Sequence, residues 1–424
     1  MSDEITLDDF TEQITDDNKS EIQTTRLENH ISIIKGTKPD RVLDEPNEST
    51  QPYLVISSLD DGKQKYTPDT DGPKANPQDT MMIMDGSKSG RVYSGKSGII
   101  GSTMAAIRPE GVNPDYLRYV LESKYKRLNA ATKGSAVPHT DKDLLRSLEI
   151  LTPPPPEQRK IATVLYTVDR AIEKTREIIE QVKKVKQALT QDVFHGRHKD
   201  FKDYQTTPVG EIPTHWSVFS IGDAVHTAQY GISESLSEEG QYPIFRMNNI
   251  ENGRMVDKPL KYIDLDDEEF EKYRVERGDI LFNRTNSLKL VGKTGIYELE
   301  GDHVFASYLV RLQTNASVNS HYLNYYMNSS EAQNRMMDFA TKGVSQANIN
   351  ANSIQQVKLP LPSVEEQKNI VERLNSIDSQ IETNKKYNSQ LQRLKRGLMQ
   401  DLLSGTVRTT DTNIEVPDKI EQYG

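Results

Sequence analysis

One block of the chain occurs twice, and that repetition limits what the chain can fold into more than any other feature. The first copy opens at Pro153-Pro154-Pro155-Pro156-Glu157-Gln158 and runs to Gly196; the second opens at Pro360-Leu361-Pro362-Ser363-Val364-Glu365-Glu366-Gln367 and runs to Gly405. A shift of 209 residues carries Gln158 to Gln367, Ile161 to Ile370, Asp169 to Asp378, Leu189 to Leu398 and Gly196 to Gly405 without a gap. A register kept over that length implies that one structural unit has been duplicated.

Each copy reads as one long helix. Proline is favoured at a first turn and excluded from an interior, an early glutamate suits the positive end of the helix dipole, and the terminal glycines supply the stop. Apolar residues recur in alternating steps of four and three: Ile161, Leu165, Val168, Ile172, Ile179, Val182, Leu189 and Val193, then Ile370, Leu374, Ile377, Ile381, Leu391, Leu398 and Leu402. That spacing is a coiled-coil seam, and two seams of equal length in one chain favour pairing with each other. Thr175, Lys186, Asn384, Asn388 and Lys395 interrupt the seams, as polar residues that fix register do.

Composition narrows the class. The 424 residues suffice for two or three domains with their own cores. Without cysteine there is no disulfide framework and no thiolate metal site, which fits a reducing cytoplasm. No apolar run reaches membrane-spanning length and no signal-like start is present, so a soluble, cytoplasmic protein without membrane contact is expected. His195 and His198 flank a helix end, where capping explains them better than metal binding. The formal charge of -10 is concentrated: residues 1–25 carry a net -7 and residues 406–424 a net -2, leaving the body near neutral. Both ends therefore read as solvated and mobile, and basic loops are free to choose the body's partners.

Between the long helices lie two globular segments with the same order of elements. The first has strand-like runs at Ile31–Ile34, Tyr53–Ile56, Met81–Met84 and Thr103–Ile107, then a short helix capped by Asn113-Pro114. The second opens at Gly210-Glu211-Ile212-Pro213, reaches Trp216, and continues through Val218–Ile221. It then sets Tyr242–Phe245 against Tyr53–Ile56, Gly278–Arg284 against Met81–Gly86, Ala306–Val310 against Gly101–Ala105, and a helix from Asn319 against the one from Asn113. The expected boundaries are an acidic arm at 1–25, globular segments at 26–152 and 200–359, long helices at 153–199 and 360–405, and a tail at 406–424. The expected class is α+β with an internal two-fold repeat.

Enzymatic motifs are weak. Gly90-Arg91-Val92-Tyr93-Ser94-Gly95-Lys96-Ser97 satisfies a phosphate-loop pattern, but that mechanism needs a helix directly afterwards, and Gly98–Gly101 reads as strand. The duplicate, Val291-Gly292-Lys293-Thr294-Gly295, has Ser287 where the first glycine would stand, so a basic hairpin turn is the better reading. Asn113-Pro114-Asp115-Tyr116 resembles an amino-methyltransferase tetrapeptide without its second proline, and a helix start explains it. No nucleophile, base and orienting group assemble. What remains is a set of basic and amide-bearing turns: Lys88, Arg91, Lys96, Lys133 and Ser135 in the first segment, with Arg284, Asn286, Lys289, Lys293, Lys342, Ser345 and Gln346 in the second. Arginine and lysine suit phosphate or guanine, and asparagine and glutamine suit adenine, so these turns are candidate nucleic-acid contacts.

With its repeated proline-rich, Glu-Gln and long-helix blocks, its Gly210–Trp216 opening and its Gly278-Asp279-Ile280-Leu281 run, the chain resembles the specificity subunit of type I restriction-modification systems. The first segment lacks the Trp-bearing opening and has the acidic arm in its place. The resemblance implies two target-recognition domains, each reading one half of a split, asymmetric DNA site, held apart by two long helices paired antiparallel. A helix of about 36 residues rises about 54 Å, near one and a half turns of duplex. It also implies two modification subunits carrying S-adenosylmethionine chemistry and restriction subunits using ATP and Mg, with no cofactor on this chain and no catalysis by it. Pro155, Glu157, Gln158, Glu366 and Gln367 are the positions expected near the modification subunits. The rival readings are a methyltransferase or NTPase in its own right, and a coiled-coil adaptor between proteins.

Overall fold

The computed structural model describes residues 23–60, 62–132, 138–287, 290–342 and 346–421. The chain forms two compact units, Met1–Thr175 with Tyr387–Gly424, and Arg176–Lys386, so each long helix gives half its length to each unit. The helices, Pro155–Phe194 and Val364–Leu403, have 40 residues each. Gly196 and Gly405 end them with φ of 72° and 74°, a conformation that only glycine adopts without strain.

Within each unit the two half-helices run antiparallel. In the first unit Ile161, Ala162 and Leu165 share a buried cluster with Met399 and Leu402, and Asn388 donates its side-chain N–H to the carbonyl of Ile172 at 3.0 Å. In the second unit Val193 and Phe194 share a cluster with Ile370, Val371 and Leu374. The lysines that interrupt the seams meet carboxylates on the facing helix. Lys186 Nζ lies 2.6 Å from Asp378, and Lys395 Nζ lies 2.8 Å from Asp169. The 209-residue shift converts one pair into the other. A tyrosine completes each set, with Tyr325 OH donating to Asp378 at 2.8 Å and Tyr119 OH donating to Asp169 at 2.9 Å. Burial, reinforced by the facing carboxylate, pushes both phenols up and keeps them as donors. A one-turn slip of either half-helix would leave these charges buried and unpaired, so the interruptions specify register.

The first globular segment holds a four-stranded antiparallel sheet, with strands in the order Ile31–Lys35, Met104–Pro109, Thr80–Ile83 and Val92–Tyr93. Thr80–Ile83 is buried throughout because both faces are covered. Met82 and Met84 pack with the helix Pro114–Ser123 and the long helices, while Met81 and Ile83 pack against the second sheet. That explains a Met-Met-Ile-Met run without polar alternation. In the second sheet, Gln51–Leu54 pairs parallel with Gly98–Ile100 and antiparallel with Lys65–Thr67. The second unit repeats this plan. Val225–Tyr230, Leu309–Thr314, Ile280–Asn283 and Thr294–Ile296 are neighbours in one sheet, and Tyr242–Phe245 pairs with Val304–Phe305 and Lys261–Ile263 in another.

The registers correct the sequence alignment of one strand. Pro52 and Pro243 both face a tyrosine across an antiparallel pair, so Tyr53 corresponds to Ile244 and not to Tyr242. The turn around Gly90 closes a hairpin, with Val92–Tyr93 pairing antiparallel with Thr80–Ile83, while Gly98–Ile100 belongs to the other sheet. A strand, not a helix, follows the phosphate-loop pattern.

Both expected ends are also revised. The first strand, Gln23–Arg26, lies partly inside the stretch expected to be an arm; it pairs antiparallel with Glu149–Thr152, as Ser217–Ser220 pairs with Lys358–Leu361 in the second unit. The tail is not loose. Arg408 holds Glu157 through two 2.7 Å bonds, Lys160 Nζ donates to the carbonyls of Thr409, Thr410 and Thr412, and Ile420 is fully buried in the cluster of Ile161 and Leu165. Charge counting missed this because it weighed four acids against two bases and overlooked the one apolar anchor, worth about 1.5–3 kcal/mol on burial. No helix among the described residues is long and apolar enough to cross a membrane.

Candidate nucleic-acid interface

The end of the main sheet carries the expected basic turns, and its backbone frame is the same in both units. In the first, Met84 N–H donates to Thr103 O at 2.8 Å and Met84 O accepts from Thr140 N at 2.7 Å. In the second, Arg284 N–H donates to Tyr308 O at 3.1 Å and Arg284 O accepts from Ile349 N at 2.9 Å. The next residues bridge likewise, Asp85 to His139 and Thr285 to Asn348. One frame therefore presents two unlike side-chain sets: Lys35, Asp85, Thr103 and His139 in the first unit, and Tyr230, Arg284, Thr285, Tyr308 and Asn348 in the second, with the buried Met84 standing where Arg284 stands.

The adjoining turn corrects a second correspondence. Gly90 and Gly292 have φ of 87° and 90°, and each donates its N–H to the end of the equivalent strand, to Ile83 O and Asn283 O. Lys293 therefore stands where Arg91 stands, not where Lys96 does. The glycines alone allow this left-handed step, and the sequence pattern had aligned Gly292 with Gly95 instead.

The expected contact residues do not form one patch. Lys88 and Arg91 converge on Asp60, at 2.5 Å and 3.5 Å, with Tyr93 OH also donating to that carboxylate. The Lys88 ammonium foremost, then the Tyr93 hydroxyl, hold Asp60 below the usual carboxylate range. Both basic side chains remain nearly half exposed, so the cluster keeps a net positive charge of one. Lys96 is exposed on the crossover between the two sheets. Lys293 lines a cavity of about 640 Å³ in the second unit with Lys183, Lys186, Arg254 and Tyr325, away from Arg284. Asn286 accepts from Ser287 N at 2.8 Å, and Gln346 is exposed beside it on the small sheet formed by Thr285–Asn286, Ala347–Asn348 and Thr341–Lys342. Lys133, Ser135, Lys289, Ser345 and the side chain of Lys342 lie outside the described residues.

Asp60, Asp85, His139, Tyr230 and Tyr308 were not singled out from sequence. Tyr308 had a signal: Ser102 and Ser307 coincide in the matched runs, so the neighbouring change from Thr103 to Tyr308 falls on a turn.

The residues expected to meet partners are mostly occupied inside the chain. Gln158 Oε1 accepts from Asn113 N at 2.8 Å and its Nε2 donates to Pro153 O at 2.8 Å. Gln367 repeats this with Asn319 N at 2.7 Å and Pro362 O at 3.0 Å, and adds Ser317 O at 3.0 Å. Tyr116 OH and Tyr322 OH then donate to the carbonyls of Leu151 and Pro360. These bonds lock the start of each long helix to the globular helix and to the strand before it. Glu157 is buried; burial alone would raise its carboxyl, but Arg408 and Thr409 N–H outweigh that and hold it low. Glu366 bonds Ser363 and lies 3.4 Å from His215, and Pro155 is exposed. Asn113 and Asn319 cap their helices by accepting from Tyr116 N and Tyr322 N, which accounts for the methyltransferase-like tetrapeptide.

Comparison with known proteins agrees with this construction. The sequence model of the type I restriction modification DNA specificity domain matches twice, over residues 19–184 and 213–393. The MjaVIII type I restriction enzyme specificity subunit of Methanocaldococcus jannaschii is 29% identical, over 92% of this chain and 94% of its own length. The EcoKI specificity subunit of Escherichia coli is 24% identical over 92% of this chain and 89% of its own. Among solved structures, the S subunit of a type I restriction-modification system from M. genitalium covers 92% of this chain and 98% of its own at a TM-score of 0.57 and 16% identity, which establishes a shared fold.

Proposed function

The chain belongs to the type I restriction-modification specificity family, and from that membership we propose that it is the non-catalytic address of such a complex, each unit reading one half of a bipartite DNA site. The observation that carries the proposal is the shared frame with unlike side chains. Duplication preserved the backbone around residues 84 and 284, while the accessible side chains on it diverged, with Lys35 opposite Tyr230, Asp85 opposite Thr285 and Thr103 opposite Tyr308. Readers that differ at equivalent positions specify different half-sites, so the whole site is asymmetric. The long helices, at 40 residues and about 60 Å, set the spacing between the halves.

The same helices are the docking surface for two modification subunits. Ile178 and Val185 are 38% and 58% exposed one heptad apart on the first helix; the 209-residue shift takes them to Tyr387 and Leu394, 51% and 43% exposed on the second. Each unit thus offers one apolar stripe outside its seam, which suits one copy each of the same partner. S-adenosylmethionine, ATP and Mg belong to the modification and restriction subunits in this reading.

Three measurements test it. With modification subunits present, the chain should bind one duplex sequence at least about 10³-fold more tightly than scrambled DNA at fixed salt, while calorimetry of the chain alone with S-adenosylmethionine or ATP gives no heat. Equal affinity, or cofactor heat, overturns the proposal. Light scattering should count two modification subunits per chain, and one after Tyr387→Asp with Leu394→Asp.

A further inference from the structure

Arg284 differs from the ion-paired arginines of the second unit, and shares with Arg246 a buried Nε that has no partner among the described residues. Arg254 pairs with Glu298, Arg311 with Asp279 and Arg335 with Glu331, but no carboxylate among the described residues lies within ion-pair distance of Arg284. Its side chain is nevertheless held. The guanidinium carbon sits 4.7 Å from the centre of the Tyr230 ring, Nη1 donates to Ser307 O at 3.3 Å, and Tyr230 OH is itself fixed by accepting from Ala351 N at 2.8 Å. Nε is buried and has no partner among the described residues. The result is an oriented fork of donors with one spent, and no anion supplied to it among the described residues.

The surroundings suit a base edge. Tyr230 and Tyr308 are 41% and 50% exposed, and among the described Phe, Tyr and Trp side chains of this unit only Tyr204 is similarly open. Tyr308 stands on a turn fixed at three points: Leu309 N donates to Ala306 O, Ser307 N to Ile232 O at 2.7 Å, and Arg284 N to Tyr308 O. An exposed ring on a fixed backbone loses little freedom when it is covered, which makes it an efficient contact. The counterparts in the first unit are Lys35, Met84 and Thr103, which provide neither the ring nor the fork.

We propose that Arg284, stacked on Tyr230, is a specificity-determining residue of the second unit that takes O6 and N7 of a guanine in the major groove, with Tyr308 lying against the neighbouring base pair. This rests on the DNA-reading function proposed above and adds which contact reads sequence. A planar fork matches the paired acceptors of guanine in one fixed orientation, whereas a lysine, though able to reach them, has neither the rigid fork nor a flat face to stack on Tyr230. A phosphate contact would need charge alone.

The test is selection of bound duplexes from a randomised pool by the full chain with its modification subunits, for wild type, Arg284→Ala, Arg284→Lys and Tyr308→Ala. Wild type should enrich a gapped site. Both Arg284 variants should lose preference for one guanine-containing base pair in one half, with affinity for the wild-type site down about 10- to 100-fold, while the other half stays unchanged and reports a folded chain. Tyr308→Ala should relax the adjacent position. If both Arg284 variants select the wild-type site, the inference is wrong. If Arg284→Lys restores full preference, the planar fork is not what reads the base, and if Arg284→Ala only flattens the salt dependence equally for all sequences, Arg284 contacts phosphate; either result overturns the inference. If wild type enriches nothing, the DNA-reading function fails, and this inference with it.

Discussion

Gln367→Ala separates the two roles the Glu-Gln block can play. The glutamine is fully buried and makes three bonds, to Asn319 N at 2.7 Å and to the carbonyls of Pro362 and Ser317 at 3.0 Å each. Truncation strands one backbone donor and two acceptors at about 1 kcal/mol each and leaves a small cavity, for a total of about 3–5 kcal/mol. In a unit of this size that lowers the melting temperature by about 10 °C. The local readout is sharper: exchange of the Asn319 amide hydrogen should accelerate at least about 10²-fold, because its acceptor is gone. Gln158→Ala should do the same to Asn113 with a somewhat smaller loss, since only two bonds go. If Gln367→Ala left melting and Asn319 exchange unchanged while modification subunits dissociated, the lock would be refuted and the docking role restored.

Removing Lys395, which is bonded to both Glu122 and Asp169, should destabilise the first unit by about 2 kcal/mol as Lys395→Met. The more exposed Lys186, with one carboxylate, should cost about 1 kcal/mol as Lys186→Met, both read by denaturant titration. Asp60→Asn releases Lys88 and Arg91 from their shared carboxylate, so DNA affinity should rise and the salt slope steepen by roughly 0.9 for each added phosphate contact. His195 donates through Nε2 to Glu331 at 2.9 Å and through Nδ1 to Glu211 O at 3.0 Å, and Glu331 foremost raises its pKa against the effect of burial. Its contribution is therefore complete below about pH 6.5 and is lost as pH rises through the raised value. Urea titrations from pH 6 to 9 should show the second unit weakening, with the slope reduced in His195→Asn. His198 shifts the opposite way, with burial foremost and then Arg373 lowering its pKa from the ordinary histidine value.

The long helices were legible because their signals are local. A four-three seam, proline at the start and glycine at the stop require no knowledge of what packs where, and even the lysine interruptions could be read as register devices, with Asp169 and Asp378 already visible as a repeat pair. The sheet registers were not legible, because pairing is set by partners distant in sequence and the loops between strands differ in length. Hence Gln51, not Tyr53, matches Tyr242 at the start of Tyr242–Phe245, and Gly90, not Gly95, matches Gly292. The tail was misjudged because one buried isoleucine and one arginine outweigh a net charge of -2. Glu157, Gln158 and Gln367 were assigned outward because repetition looks the same whether a residue serves a partner or the fold. Basic residues on turns were found, but that Asp60 holds two of them while Arg284 has no such carboxylate among the described residues depends on side chains folded together from far apart.

The central claim is that one duplicated frame presents two unlike readers. It is tested most directly by sequencing the DNA that the assembled complex selects or methylates. The account predicts a single site of two short, different blocks separated by an unspecified spacer of constant length. A palindrome, one continuous block or a variable spacer would contradict it.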